Sequence, residues 1–250
     1  MRFEDVKTIG IMGGGVMGGG IAQIMAIAGY EVIVRDLTNE LIQVTRDAVV
    51  EGRWGMKRAV ERGKLSFDQC AEAMERIHFT LATRDLHDVD LLIEAIPERL
   101  DLKQQVFAEL DTLIKPEAIF ATNTSGFPVA DIARDVSEGR KALFAGMHYS
   151  NPVPTMRMCE VIYTPQTSEE TVAVVRGVAE KAGRAVSMVK DEPGSYGFVM
   201  NRIFAAAKRE ADKIVEAGIA TREDVDRAMI TGRNWPAAFY GNRGGIGKQW

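Results

Sequence analysis

Residues 9–18 read Ile-Gly-Ile-Met-Gly-Gly-Gly-Val-Met-Gly, and this glycine-rich stretch decides the fold. Gly13, Gly15 and Gly18 form the pattern G-x-G-x-x-G. The apolar residues before the turn predict a buried strand, and the run after it, up to Ala28, predicts a helix. Such a turn lets the backbone approach a pyrophosphate, and the helix N-terminus offers N–H groups and a partial positive charge. The sequence therefore predicts a dinucleotide-binding site.

An acidic residue follows the second strand of this unit. Residues 31–34 predict a strand, and Asp36 comes just after it, close to the spacing of about 20 residues that dinucleotide sites use. A carboxylate there accepts hydrogen bonds from both ribose hydroxyls and repels a 2′-phosphate, although neighbouring Arg35 weakens that preference. The predicted cofactor is NAD. The residues of this unit predicted to bind it are Gly13, Gly15, Val16, Met17, Gly18 and Asp36.

Apolar strand-like runs alternate with helix-like segments up to about residue 190. This alternation predicts an α/β fold of the Rossmann type, a doubly wound and mostly parallel sheet with helices on both faces. The predicted strands are residues 8–12, 31–34, 90–96, 118–121, 142–147, 159–163 and 185–189.

A charged helical stretch interrupts the alternation after the second strand. It covers about residues 41–76, is broken near Gly63, and predicts an inserted helical hairpin. We assign residues 1–190, with this insertion, to an NAD-binding domain.

The pattern changes again near the C-terminus. Residues 197–218 and 221–231 predict two helices, the second capped by Thr221. Residues 191–250 are therefore expected to form a small all-helical domain. Because this domain is too short to form a large hydrophobic core alone, we expect it to complete its core by docking or by dimerising.

Composition excludes several classes of function. The chain has 250 residues, 46% hydrophobic and 26% charged, with a net charge of −4. No basic stripe with interleaved aromatics indicates a nucleic-acid partner, and no spaced cluster indicates a metal site. Glycines, Gln23 and Glu31 interrupt the apolar residues 8–34, so no membrane span is expected. Cys70 and Cys159 fit a reducing compartment, and without a signal-peptide pattern we expect a cytoplasmic protein.

Polar residues follow the predicted strands at one edge of the sheet. Ligands of open parallel sheets bind beyond the carboxyl ends of the strands, so this edge predicts the functional site. Scattered surface polarity would not be sorted in this way. The residues concerned are Asp36, Glu98, Asn123, Ser125, His148 and Asn151.

One of the three histidines stands out by its position. His78 and His87 lie in polar stretches and are expected in solvent. His148 ends a strand at the predicted cofactor edge, and the following turn can bring Glu160 back beside it. Since a buried carboxylate needs a partner, we predict a Glu–His pair that acts as a general base. A hydrolase using Ser125 is disfavoured because no G-x-S-x-G surrounds that serine.

These motifs together resemble one known family. The glycine turn, Asn-Thr-Ser at 123–125, His-Tyr-Ser-Asn-Pro-Val-Pro at 148–154 and Glu160 occur in the order typical of 3-hydroxyacyl-CoA dehydrogenases. The resemblance implies reversible NAD-dependent oxidation of a (3S)-3-hydroxyacyl-CoA to the 3-oxoacyl-CoA, as in β-oxidation of fatty acids. It also implies a homodimer formed through the helical C-terminal domain.

The resemblance also implies roles for individual residues. His148 matches the catalytic base, Glu160 its orienting partner, and Ser125 the serine that hydrogen-bonds the substrate oxygen. Asn151 matches an asparagine near the nicotinamide and thioester, and Asn201 the active-site asparagine of the helical domain. Further cofactor residues implied by the family are Ala95, Glu98, Lys103, Asn123, Ser125 and Asn151. The insertion resembles the arm that contacts CoA, and the candidates for its phosphates are Arg53, Lys57 and Lys64, which a solvated helix face explains equally well.

Two departures from the family pattern bear on the acyl group. Ser195-Tyr196-Gly197 stands between Gly194 and Phe198, where the family has Pro-Gly followed at once by Phe. The residues Trp-Pro-Ala-Ala at 235–238 replace its usual Pro-Met-Gly-Pro. Both indicate altered acyl specificity, with a bulky, branched or aromatic group as one option. Two other functions stay open, namely a dehydrogenase of a free hydroxy acid and a non-catalytic NAD-binding structural protein.

Overall fold

The strands form one eight-stranded sheet in the order β3-β2-β1-β4-β5-β6-β7-β8. In the computed structural model, residues 1–233, 235 and 238–241 are described. Within them the strand pairs are parallel except for β6 with β7. The mostly parallel Rossmann-type sheet predicted from the sequence is confirmed. The strands are β1 (Thr8–Met12), β2 (Glu31–Arg35), β3 (Ile77–Thr80), β4 (Leu91–Glu94), β5 (Ile119–Thr122), β6 (Phe144–Tyr149), β7 (Met158–Tyr163) and β8 (Ala185–Lys190).

Both faces of the sheet are covered by apolar packing. Ile9 and Ile11 of β1 belong to a buried cluster that includes side chains of the helices following β1 and β7. On the other face Phe107, from the helix after β4, packs on Phe120 and Phe144 with ring centroids 5.7 and 4.6 Å away. Burial on both faces explains why the central strands are continuous apolar runs rather than alternating ones.

The edge strand β3 is missing from the sequence-based prediction. Its four residues, Ile-His-Phe-Thr, are half-buried or exposed, and His78 points to solvent beside Glu31 with an Nε2–Oε2 distance of 3.2 Å. A short edge strand is buried on one side only, so it lacks the apolar run by which the other strands are recognised. The predicted solvent exposure of His78 is confirmed.

The insertion after β2 contains three helices, so the prediction of a two-helix hairpin is wrong. The break near Gly63 is present, with this glycine at a φ of +67°. A second break at residues 51–55 separates a six-residue helix from the helix before it. The helices are α1 (Val16–Ile27), α2 (Asn39–Val50), α3 (Met56–Glu61), α4 (Phe67–Glu75), α5 (Leu100–Leu113), α6 (Val129–Ile132), α7 (Glu138–Lys141), α8 (Glu169–Lys181), α9 (Val199–Glu216) and α10 (Arg222–Arg233).

The chain divides into two compact units, Met1–Tyr196 and Gly197–Trp250. The division falls after the boundary expected near Asp191, because the Asp191 carboxylate accepts hydrogen bonds from the backbone N–H groups of Val129 and Ala130 at 3.0 and 2.8 Å. Those bonds tie residue 191 to the first unit.

The second unit contains α9 and α10. Thr221 caps α10 as predicted, accepting a hydrogen bond from the Asp224 N–H at 3.1 Å. The glycine-rich tail from residue 242, with Arg243 and Lys248, lies outside the described residues, as do Pro236 and Ala237 of the replaced family segment. No helix of the described residues is both long and apolar enough to cross a membrane.

Candidate active site

The glycine turn between β1 and α1 has the shape that a pyrophosphate requires. Gly13 has a φ of +96°, and a Cβ on Gly18 would lie 1.8 Å from the Gly13 carbonyl oxygen, so neither position accepts a side chain. A Cβ on Gly15 would meet no heavy atom within 4 Å, which leaves open space above the turn. Gly15 is the N-cap of α1 and no side chain caps this helix. The turn and the first helical residues Val16 and Met17 therefore fit a dinucleotide.

Two polar side chains hold this turn in place. Asp36 accepts hydrogen bonds from Gly14 N–H at 2.8 Å and from Leu37 N–H at 2.7 Å. Thr45 of α2 donates to the Gly14 carbonyl at 2.7 Å. Asp36 thus lies directly beside the turn, which is the position expected for the residue that binds the ribose. Thr45 was not predicted from the sequence. The one feature that could indicate its role is its place on the buried face of the amphipathic helix α2.

Ala95 and a buried ion pair lie below the turn at the end of β4. The Ala95 carbonyl oxygen is 3.0 Å from the position of a Cβ on Gly13. Lys103 of α5, only 1% exposed, contacts the Glu94 carboxylate at 2.6 Å, and Thr122 donates to the other Glu94 oxygen at 2.6 Å. Burial raises the pKa of Glu94, against the opposing charge of Lys103. The lysine ammonium is therefore enclosed by protein, and its direct binding to the cofactor finds no support in this geometry.

Lys103 also reaches the loop that carries Ser125. Its Nζ lies 3.3 Å from Glu98 Oε2, while Glu98 Oε1 accepts hydrogen bonds from Thr124 Oγ1 at 2.7 Å and from Ser125 N–H at 2.8 Å. Glu98 and Ser125, both predicted as cofactor residues, are thus directly joined. Glu94 was missed from the sequence, although a glutamate ending an all-apolar strand is a usable signal. Thr124 was identified as part of the motif at 123–125, but without this role.

His148 and Glu160 face each other across the antiparallel pair β6 and β7. They are register partners, and His148 Nδ1 lies 2.8 Å from Glu160 Oε2. Both side chains are almost fully buried, at 5% and 2% exposed. The end of β6 is fixed further by Asn123, whose side-chain oxygen accepts a hydrogen bond from Tyr149 N–H at 2.9 Å. The structure therefore brings together the pair that the sequence placed on either side of a turn.

The remaining candidates are spread more widely. Asn151, in the turn after β6, lines a cleft of about 290 Å³ together with Gly15, Val16 and Arg53. Lys57 instead pairs with Glu51. Lys64 lines a separate cavity of about 170 Å³ with Arg62 and Arg184. Asn201 lies in the first turn of α9, in the second unit. Of the three basic residues proposed for CoA, only Arg53 shares a cleft with the glycine turn.

A dinucleotide turn with an acid after β2, and a buried histidine–carboxylate pair along the same sheet edge, define an NAD-dependent dehydrogenase. Comparison of the sequence with known protein families identifies the family. Residues 8–192 match the 3-hydroxyacyl-CoA dehydrogenase NAD binding domain, and residues 197–245 match the 3-hydroxyacyl-CoA dehydrogenase C-terminal domain. The chain belongs to the 3-hydroxyacyl-CoA dehydrogenase family, so the family predicted from the motifs and the predicted cofactor are confirmed.

Individual relatives agree with this assignment over nearly the whole chain. A probable 3-hydroxybutyryl-CoA dehydrogenase of Deinococcus radiodurans is 41% identical over 227 residues, which are 91% of this chain and 78% of that protein. The mitochondrial hydroxyacyl-coenzyme A dehydrogenase of Homo sapiens is 35% identical, covering 92% of this chain and 73% of that protein. The crystal structure of (S)-3-hydroxybutyryl-CoA dehydrogenase from Ralstonia eutropha matches with a TM-score of 0.87 at 33% identity, over 94% of this chain and 80% of that chain.

Proposed function

We propose that this protein oxidises the C3 hydroxyl of short (3S)-3-hydroxyacyl-CoA thioesters to the ketone with NAD, and catalyses the reverse reduction. The observation that carries the proposal is the buried contact between His148 Nδ1 and Glu160 Oε2 at 2.8 Å. The short acyl chain is suggested by relatives named 3-hydroxybutyryl-CoA dehydrogenases. The bulky, branched or aromatic acyl group considered from the sequence gains no support from them.

Proton transfer falls to His148. Because Nδ1 is held by Glu160, we assign to Nε2 the removal of the hydroxyl proton as C3 loses its hydride. The carboxylate fixes the tautomer and stabilises the imidazolium that forms, and burial of both groups strengthens that stabilisation. NAD, when bound, accepts the hydride. In reduction, the imidazolium returns its proton to the oxygen of the ketone.

The other site residues bind and orient. Ser125 is assigned to the substrate oxygen, Asn151 to the thioester and nicotinamide end, and Asn201 to the substrate. Gly13, Gly15 and Gly18 with the first turn of α1 would hold the pyrophosphate, and Asp36 the ribose. We assign Ala95, Glu98 and Asn123 to the walls of the cofactor site and Lys103 to their support. Of the three basic candidates for the CoA phosphates we retain Arg53, which lines the cleft beside the glycine turn, and not Lys57 or Lys64.

A spectrophotometric assay tests the proposal. Purified protein is mixed with NADH and acetoacetyl-CoA, and loss of NADH absorbance is followed, with free acetoacetate and with NADPH as matched comparisons. We expect rapid turnover only with the thioester and NADH. Equal turnover of free acetoacetate would contradict CoA dependence and favour a free hydroxy acid substrate. Bound NADH without turnover of any substrate would favour a non-catalytic protein.

The proposal includes a cytoplasmic homodimer that serves β-oxidation of fatty acids. Helix α9 supports the dimer, since Val199, Ile203 and Phe204 remain 46%, 58% and 43% exposed along it, and such apolar stripes are usually covered by a partner. The free thiols of Cys70 and Cys159 fit a reducing compartment. Light scattering should give twice the chain mass, and a monomeric mass at working concentration would contradict the dimer.

A further inference from the structure

The segment that ends the first unit is fixed to the loop after Ser125. The Asp191 carboxylate accepts hydrogen bonds from Val129 and Ala130 N–H, at the beginning of α6. Tyr196 follows Asp191 by five positions in the chain. Between them lies a tight turn, in which Ser195 N–H donates to the Glu192 carbonyl at 3.2 Å. Gly194 takes a φ of +78° in this turn, a conformation that favours glycine.

Tyr196 makes a second contact with the same loop. Its ring meets the Phe127 ring edge-on, with centroids 5.4 Å apart and an interplanar angle of 85°. This geometry is a favourable one for two aromatic rings. Since residues 191 and 196 both contact the loop 127–130, the position of the tyrosine ring is set from two sides.

The Phe127–Tyr196 pair stands beside the candidate site. The Phe127 N–H donates to Thr124 Oγ1 at 3.1 Å, and the same hydroxyl donates to Glu98, which also accepts from Ser125 N–H. Partial burial, and after it the charge of Glu98, raises the pKa of Tyr196. The tyrosine is therefore connected, through Phe127 and Thr124, to the carboxylate that holds Ser125. Even so, 62% of Tyr196 is exposed, which leaves ring surface for a ligand to cover.

We propose that Tyr196, backed by Phe127, is a specificity-determining residue that limits the length of the acyl chain beside the Ser125 turn. This inference rests on the proposed function, because it assumes that Ser125 holds the oxygen on C3. We place the acyl chain, which extends from that carbon, along the loop that follows Ser125. A rigid aromatic ring there would pack against a short chain and obstruct a longer one, in the way that apolar pockets set specificity.

The test compares kcat/KM for acetoacetyl-CoA and 3-oxooctanoyl-CoA in the parent protein and two variants. Tyr196→Ala should raise the efficiency ratio for the longer substrate by about tenfold or more, within the range of roughly 10- to 200-fold that a pocket gains per methylene. Tyr196→Phe keeps the ring and should keep the parental ratio. The KM for NADH should stay the same in both, because the glycine turn is untouched.

A larger ring gives an independent result in the opposite direction. Tyr196→Trp should lower the ratio for the longer substrate, and melting temperatures close to the parent would verify folding of all variants. An unchanged ratio in active Tyr196→Ala, or a ratio that falls in it, would overturn the inference. Failure of the proposed function is recognised separately, since the parent protein would then turn over neither thioester.

Discussion

The pairs His148–Glu160 and Lys103–Glu94 are both buried along the carboxyl edge of one sheet, but they are built from different elements. The first joins register partners on the antiparallel strands β6 and β7, with 2.8 Å between nitrogen and oxygen. The second reaches from α5 to the end of β4, with 2.6 Å between nitrogen and oxygen. An imidazole exchanges its proton near neutral pH, whereas an ammonium beside a carboxylate keeps it. Under the proposed mechanism, equal burial therefore serves proton transfer in one pair and support in the other.

The largest effect on activity is expected from the first pair. His148→Ala should reduce turnover by roughly 10²–10⁴-fold, the scale of a positioned acid–base group. NADH affinity should be retained, because the glycine turn lies on other elements. Turnover assays with NADH fluorescence titration measure both quantities. The matched control is His87→Ala, a 62% exposed side chain, which should behave like the parent. Near-normal turnover of His148→Ala would remove the imidazole from the mechanism.

The second pair should affect stability. Lys103→Met leaves the buried Glu94 carboxyl without its cation, so it must either stay charged in the interior or take up a proton, and the free energy of unfolding should fall by about 3–5 kcal/mol. Urea denaturation gives this value, and Lys213→Met, which removes an exposed surface pair, should cost about 1 kcal/mol or less. The double variant Glu94→Leu with Lys103→Met should recover much of the loss. A Lys103→Met protein of parental stability would contradict the supporting role.

Glu160→Gln tests the coupling inside the first pair. The amide keeps the shape but no longer stabilises the imidazolium, so turnover should fall by about 10- to 100-fold, the scale known for carboxylates behind metal-bound histidines. NADH affinity should be little changed, because the glycine turn lies on other elements. Glu109→Gln, on the exposed side of α5, is the control. A parental rate of turnover would reduce Glu160 to a structural carboxylate.

The smallest effect is expected at a third buried pair, Asp111 with Arg140. Burial alone would raise the pKa of Asp111, but Arg140 at 2.7 Å and the Ser137 N–H outweigh it and hold that pKa below its ordinary 3.8. The resulting stabilisation is present above this ordinary value and is lost as pH falls through the lower folded value. Asp111→Asn should therefore cost about 1–3 kcal/mol at pH 7 and less near pH 3. Denaturation at both pH values checks this, and an equal cost at both would contradict it.

What could be predicted from the sequence is local. The glycine turn, the strand ends and the pairing of His148 with Glu160 all depend on residues close together in the chain. Sequence pattern and turn geometry are therefore enough to predict them. The edge strand β3 alternates apolar and polar residues over four positions, which is too short a run to stand out, and the break at 51–55 lies in a polar stretch where periodicity carries little information. The enclosure of Lys103 depends on how α5 packs over β4, and a lysine gives no signal of burial. The contact between Phe127 and Tyr196 depends on a long-range loop anchor, which no local pattern predicts.

The antiparallel register of β6 and β7 has a consequence for how the base can change over time. The separation of His148 and Glu160 follows from the spacing between two hydrogen-bonded strands, about 4.8 Å in any sheet. Their alignment is therefore inherited from the dimensions of the peptide chain itself. Neighbouring side chains can be exchanged without disturbing it, whereas insertion of a single residue within either strand would turn one partner to the opposite face. We therefore expect the site to tolerate substitution but not a shift in length.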